Sequence, residues 1–255
     1  MSHVFATSLT VRGYECGAGA VVALPTVLSH LEHCRWLWIL EPRFGLVDLL
    51  REGHFFVVHR ATLGLARTYG MGTSLTVRAA LRRVGRVNCE VEQDLVRDDG
   101  VLLARARLDV IWLGPEGRMR RVPDLVRAGV TDEPMEARVA PPTGGSGFLA
   151  PPQHVFEPEL ARLVARDVPE HAAATPLQVR PSDCDVHEHV NNATYLRYFE
   201  DALGAPAAEA DIEYRGQAHA GDVLTMRRWA VDDGRTSFAL ERGEEVLCRA
   251  VLTPR

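Results

Sequence analysis

Between Val179 and Leu203 the chain reads VRPSDCDVHEHVNNATYLRYFEDAL. Asp183, Asp185, His187, His189, Asn191 and Asn192 crowd together there, just ahead of a segment whose apolar positions Leu196, Phe199 and Leu203 fall at helical spacing. A helix starting near Asn191 leaves backbone N–H groups at its N-terminus without intrahelical acceptors. Such donors can hold a carbonyl oxygen as negative charge develops on it. Asp185, just before the helix, can attack the carbonyl carbon or act as base for a water. His189 can donate to the carbonyl oxygen or hold Asp185 in place. The same residue types also have structural uses: Asp or Asn before a helix is most often a cap, and that role is weighed for Asn191, Asn192 and Asp183.

An internal repeat separates the two uses. Residues 11–35 align without a gap on 179–203, pairing Val11-Arg12 with Val179-Arg180, Glu15 with Asp183, Cys16 with Cys184, Leu28 with Leu196 and Glu32 with Glu200. Further on, Gly72, Leu75, Thr76 and Arg78 match Gly221, Leu224, Thr225 and Arg227, and Leu103–Ala106 match Leu247–Ala250. The first copy keeps the residues a scaffold needs and lacks the polar cluster. Gly17 stands opposite Asp185, Gly19 opposite His187, Val21 opposite His189, and Ala23-Leu24 opposite Asn191-Asn192.

Each copy predicts the same elements. A short strand (Ser8–Arg12; Pro176–Arg180) leads through a loop into a helix, marked by Leu24, Leu28 and Leu31 in the first copy. Three strands follow: Ser74–Arg82, Arg86–Arg97 and Val101–Trp112, then Val223–Val231, Thr236–Arg242 and Glu245–Leu252. Asp98-Asp99-Gly100 and Asp232-Asp233-Gly234 are expected as hairpin turns. A helix followed by an antiparallel meander is expected to cover one face of its own sheet. The organisation expected is a first unit at 1–115, a connector at 116–174 and a second unit at 175–255. The first unit carries extra residues at about 39–56, and the Pro/Gly-rich connector includes a short helix at Phe156–Val164.

Composition narrows the partners. The net charge is −5 and no basic run is long, which argues against nucleic acid. All 29 basic residues are arginine; Arg118, Arg120, Arg121, Arg227 and Arg228 could grip a carrier's acidic surface or a coenzyme's phosphates. No apolar stretch approaches the length of a membrane span, and the N-terminus lacks a secretory pattern, so no membrane association and a cytoplasmic location are expected. Five unpaired-looking cysteines fit free thiols. Cys184 recurs as Cys16 outside the cluster and reads as a packed thiol rather than a nucleophile. His187-x-His189 lacks a third ligand at a metal-site spacing, so no metal and no cofactor are expected. Trp36 and Trp38, near the end of the first helix, are expected in apolar contact or lining a tunnel for an apolar ligand.

The run Asp183, Asp185, His189, Val190, Asn191, Asn192, Tyr195, Tyr198, Glu200 resembles the motif of the hot-dog-fold thioesterases. The two-copy layout is similar to plant-type acyl-acyl-carrier-protein thioesterases and their bacterial relatives. The resemblance implies an α+β tandem double hot-dog, each unit a long helix wrapped by antiparallel sheet, with the paired units forming one continuous sheet. It implies hydrolysis of an acyl thioester, on acyl carrier protein or coenzyme A, with Asp185, His189, His187 and Gln217 at the catalytic positions and Asn191, Asn192 and Tyr195 at the substrate. The chain departs from the plant-type pattern at His187, where asparagine is usual, and at Gln217 and Ala218, where glutamate and cysteine are usual. Gln217 cannot act as a base and could only orient water or substrate. Two alternatives stand beside hydrolysis: an acyl-thioester or ligand-binding module without turnover, and a hydratase or dehydratase. A monomer or a homodimer of such two-unit chains is expected.

Overall fold

The computed structural model describes residues 4–42, 45–135, 167–231 and 234–255. Ten strands form one antiparallel sheet in the order β1-β3-β4-β5-β2-β7-β10-β9-β8-β6. The first half holds β1 (Phe5–Thr10), β2 (Phe55–Leu65), β3 (Ser74–Val84), β4 (Asn88–Arg97) and β5 (Leu102–Leu113). The second holds β6 (Ala173–Gln178), β7 (Ala207–Tyr214), β8 (Val223–Ala230), β9 (Thr236–Arg242) and β10 (Glu245–Pro254). The halves meet where β2 pairs with β7, from Arg60↔Glu213 to Gly64↔Glu209. Continuity of the sheet is therefore as expected.

Two long helices pack against the sheet. Helix α1 (Leu24–Leu40) buries Leu24, Val27, Leu28 and Leu31 almost completely. Helix α4 (Asn192–Leu203) buries Leu196 and Phe199, whose ring leans on Phe238 at 5.4 Å between centroids. The two helices touch each other as well as the sheet, so α1 is apolar around most of its circumference. Asn191 caps α4, its Oδ1 accepting from Ala193 N at 2.8 Å, and Gly204 ends it at φ +75°, a conformation that costs glycine little. Short helices α2 (Leu46–Arg51) and α3 (Asp124–Arg127) lie near the end of α1, where Leu46 and Val126 share a cavity lining with Trp38.

The repeat is visible in the backbone hydrogen bonds. Gly17 N and Asp185 N donate to Val21 O and His189 O; Ala20 N and Glu188 N donate to Gly17 O and Asp185 O. Ala20 and Glu188 both have positive φ (57° and 63°). Arg12 N and Arg180 N donate to Glu15 and Asp183 carboxylates. Both copies therefore share the main hydrogen bonds of the loop before the helix, differing at Gly19, whose φ of +75° has no counterpart at His187. Asp183 also accepts from Arg197 at 2.9 Å, making it a fixture of this turn.

Strands β2 and β7 are additions to the sequence-based expectation, and both lie at the centre of the sheet. Ala207, Ala208, Ala210, Asp211, Ile212 and Tyr214 are all buried, so β7 shows no alternation of apolar and polar residues. Strand β2 lies just beyond α2, at the end of the stretch read as an insertion. Strands β1 and β6 begin three residues earlier than expected. The Asp98-Asp99-Gly100 turn joins β4 to β5, with Gly100 N donating to Arg97 O. The turn at Asp232-Asp233 and the helix expected at Phe156–Val164 lie outside the described residues. Among the described residues, no helix is long and apolar enough to cross a membrane.

Candidate active site

The loop 185–189 is a tight hairpin whose two ends are tied by Asp185 N donating to His189 O at 3.0 Å. Asp185 Oδ1 accepts from His187 N at 2.8 Å, while Oδ2 lies 3.7 Å from His189 Nδ1. Both side chains are about one-fifth exposed, so the pair opens to solvent on one side. The His189 ring stacks on His187 (5.8 Å, 21°). The next step of the chain is the N-terminus of α4. Ala193 N is satisfied by Asn191 Oδ1, and Thr194 N and Tyr195 N by Asn191 O. Asn192 N–H has no protein acceptor among the described residues, which makes it the donor free to meet a carbonyl oxygen.

The remaining expected residues take different places. Tyr195 is buried, burial pushes its phenol up, and its hydroxyl accepts from Ala218 N at 3.0 Å. It thus holds the segment carrying Gln217 from beneath. That segment leaves β7 through Gly216, where a Cβ would come within 2.7 Å of Leu247. It is pinned beside the site by Val190 N donating to Ala218 O and by the His189↔His219 bridge. The Gln217 side chain is exposed, and among the described residues its backbone oxygen alone is engaged, by Arg242. Cys184 packs at the edge of the core, and all five cysteines are free. Among the described residues, no group of three or more His, Cys, Asp or Glu is placed to hold a metal ion. Of the arginines singled out, Arg227 pairs with Glu241 and Arg228 donates to Ala202 O.

Two contacts come from the other copy. Glu32 of α1 accepts from Asn191 Nδ2, with both carboxylate oxygens at 3.1 Å. Trp36, one turn further on, stacks on His187 (5.9 Å, 27°). The repeat pairs Glu32 with Glu200 as shared scaffold, which hides this; the only trace in the sequence is their common helical face at i, i+4. Along the same helix, Arg35 and Trp38 border an apolar cavity of about 80 Å³ with Phe56, Leu81, Val91 and Val126. Trp38 therefore lines a cavity while Trp36 faces the polar loop.

Against known proteins, residues 167–244 match the family model "Acyl-ACP thioesterase C-terminal domain". The chain is 26 % identical over 257 residues to a palmitoyl-acyl carrier protein thioesterase of Gossypium hirsutum, an alignment covering 94 % of this chain and 58 % of that protein. It is 24 % identical over 240 residues to an acyl-[acyl-carrier-protein] hydrolase of Cuphea viscosissima, covering 87 % of this chain and 54 % of the relative. The chain thus spans little more than half the length of these curated relatives. Among solved structures it superimposes on an acyl-ACP thioesterase from Bacteroides thetaiotaomicron with a TM-score of 0.78 at 16 % identity, covering 100 % of both chains. A 12:0-ACP thioesterase from Umbellularia californica gives 0.74 at 19 % identity, over 100 % of this chain and 99 % of that one. Residues 167–244 are thus similar to the C-terminal domain of acyl-ACP thioesterases, and the chain has the tandem double hot-dog fold of these solved structures.

Proposed function

We propose that the protein hydrolyses an acyl thioester to a free carboxylic acid and a thiol. The observation that carries this reading is the Asp185–His189 pair at the mouth of α4, next to the unsatisfied Asn192 N–H. In the reaction, Asp185 takes a proton from water as its oxygen attacks the thioester carbon. The carbonyl oxygen becomes an oxyanion facing Asn192 N–H, a donor of the kind worth about 3 kcal/mol of barrier. The intermediate collapses, the C–S bond breaks, and the thiolate recovers the proton from Asp185. His189 orients the carboxylate or donates to the oxyanion. His187 and Gln217, on the rim, orient water or substrate.

The acyl chain runs from this point along α1 past Arg35 into the apolar cavity beside Trp38 and Val126. The carrier is acyl carrier protein or coenzyme A, both of which present the acyl group as a thioester. Binding without turnover has one observation in its favour: Asp185 Oδ1 is occupied by His187 N, as in an ordinary Asx turn. Thiol release measured over acyl-coenzyme A and acyl-carrier-protein substrates of several lengths separates the two. Steady release from at least one substrate is expected; tight acyl binding with no release from any of them would overturn hydrolysis in favour of a binding module.

A further inference from the structure

The reactive side chains all belong to the second copy, but one of them is held from the first. Asn191 has a single side-chain amide with two tasks. Its Oδ1 caps Ala193 N, while its Nδ2 points across the helix pair to both oxygens of Glu32. Arg35, three residues on from Glu32 and buried, donates to Gln93 Oε1 at 2.6 Å. Gln93 Nε2 then donates to Leu31 O, closing the chain of contacts on α1 itself. A carboxylate meeting the amide with both oxygens is a stronger acceptor than a neutral group.

The other copy provides an internal control. Glu200, the repeat partner of Glu32, stands at the matching position on α4. Ala23 stands in place of Asn191 in the first copy, and Glu200 accepts from a backbone N–H of its own half instead, Ala207 N at 2.8 Å. Toward the copy without the cluster, the glutamate thus makes no side-chain-to-side-chain hydrogen bond to the facing helix among the described residues. Where the cluster is present, the Asn191 amide stands between the glutamate and the helix, and Asn192 N–H is left free.

We propose that Glu32 is a positioning residue for the site: acting through Asn191, it orients the N-terminus of α4 from the opposite copy. The first copy, which lacks the polar cluster, supplies a working part of the site as well as half of the sheet. Trp36, one turn on and stacked on His187, makes the second contact between α1 and the reactive loop. This assignment rests on the hydrolase reading above.

The test compares kcat and KM for thiol release by the full chain and by Glu32→Ala, Glu32→Gln, Asn191→Ala and the Glu32→Ala/Asn191→Ala double variant. Misplacing a catalytic donor by an ångström can cost about a hundredfold. Glu32→Ala is therefore expected to lower kcat by about ten- to a hundredfold, with KM held within about twofold. Glu32→Gln, whose Oε1 can still accept from Nδ2, is expected to recover much of the loss. The double variant should be no slower than Asn191→Ala, because both changes cut the same link. Wild-type kcat in Glu32→Ala, or losses that multiply in the double variant, would overturn the assignment while leaving hydrolysis standing. If Glu32→Ala does not fold, Glu32→Gln decides against the fold-matched Asn191→Ala: a larger loss in Glu32→Gln than in Asn191→Ala overturns the proposal. Absence of thiol release by the unmodified chain, by contrast, removes the hydrolase reading and this assignment with it.

Discussion

Replacing Val126 by phenylalanine tests where the acyl chain ends. Val126 is 8 % exposed and sits on α3 at the wall of the apolar cavity, across from Trp38 on α1. With a cavity of only about 80 Å³, a benzyl group growing from this position takes room otherwise open to roughly two methylenes. Each buried methylene contributes about 0.8 kcal/mol, so the longest acyl group accepted by the unmodified chain should lose about 1.6 kcal/mol. That corresponds to a drop of about fifteenfold in kcat/KM. A substrate two carbons shorter no longer needs the lost space and should keep its kcat/KM within about twofold. The assay is thiol release over a graded acyl series, with the thermal midpoint of the variant measured alongside because overpacking can cost about 1–3 kcal/mol of stability. An equal loss at every chain length, or an unchanged length profile in a folded variant, would refute this cavity as the acyl site.

Two further outcomes concern the scaffold. Arg60 and Asp211 join the two halves across the β2–β7 pair at 2.8 and 2.5 Å, Asp211 being 1 % exposed and Arg60 19 %. Asp211→Ala should therefore destabilise the chain by about 3 kcal/mol, at the low end for breaking a buried pair, because Arg60 retains some solvent; a urea midpoint equivalent to under 1 kcal/mol of loss would contradict this. His30 is buried 3.3 Å from Glu15, and burial holds its imidazole below its ordinary value of 6.5, with Glu15 offsetting this only in part. Between the folded value and 6.5 the unfolded chain binds the extra proton, so stability should fall as pH drops through that window. His30→Tyr, which installs the residue that Tyr198 provides in the second copy, should flatten the fall in urea midpoint between about pH 7 and 5; parallel curves for the two proteins would count against it.

What the sequence disclosed follows from how local each feature is. The loops at 12–22 and 180–190 are built from short-range hydrogen bonds, so their repeat survives in the order of residues, Glu15 on Asp183 and Cys16 on Cys184. The contrast between Gly17 and Asp185 on similarly bonded loops could be read before any coordinates. The α1 and α4 cores were legible for the same reason, through Leu24, Leu28, Leu196 and Phe199 at helical spacing. Strands β2 and β7 were not, because central strands buried on both faces lose the period of two. Ala207, Ala208 and Ala210 are also poor strand formers taken alone. Tyr195 fits the family motif, yet its position on α4 turns it inward beneath Ala218. Glu32 and Trp36 reach the reactive loop only once two helices far apart in sequence are packed together, a juxtaposition that spacing within one helix does not encode.

The most direct measurement is the steady-state rate of thiol release by Asp185→Asn beside the unmodified chain. The substitution keeps an Oδ1 able to accept from His187 N, so the loop and the thermal midpoint should be preserved. It removes the base, and the rate should fall by about a hundred- to ten-thousandfold. A folded Asp185→Asn protein that turns over at the rate of the unmodified chain would contradict the assignment of this carboxylate to the chemistry.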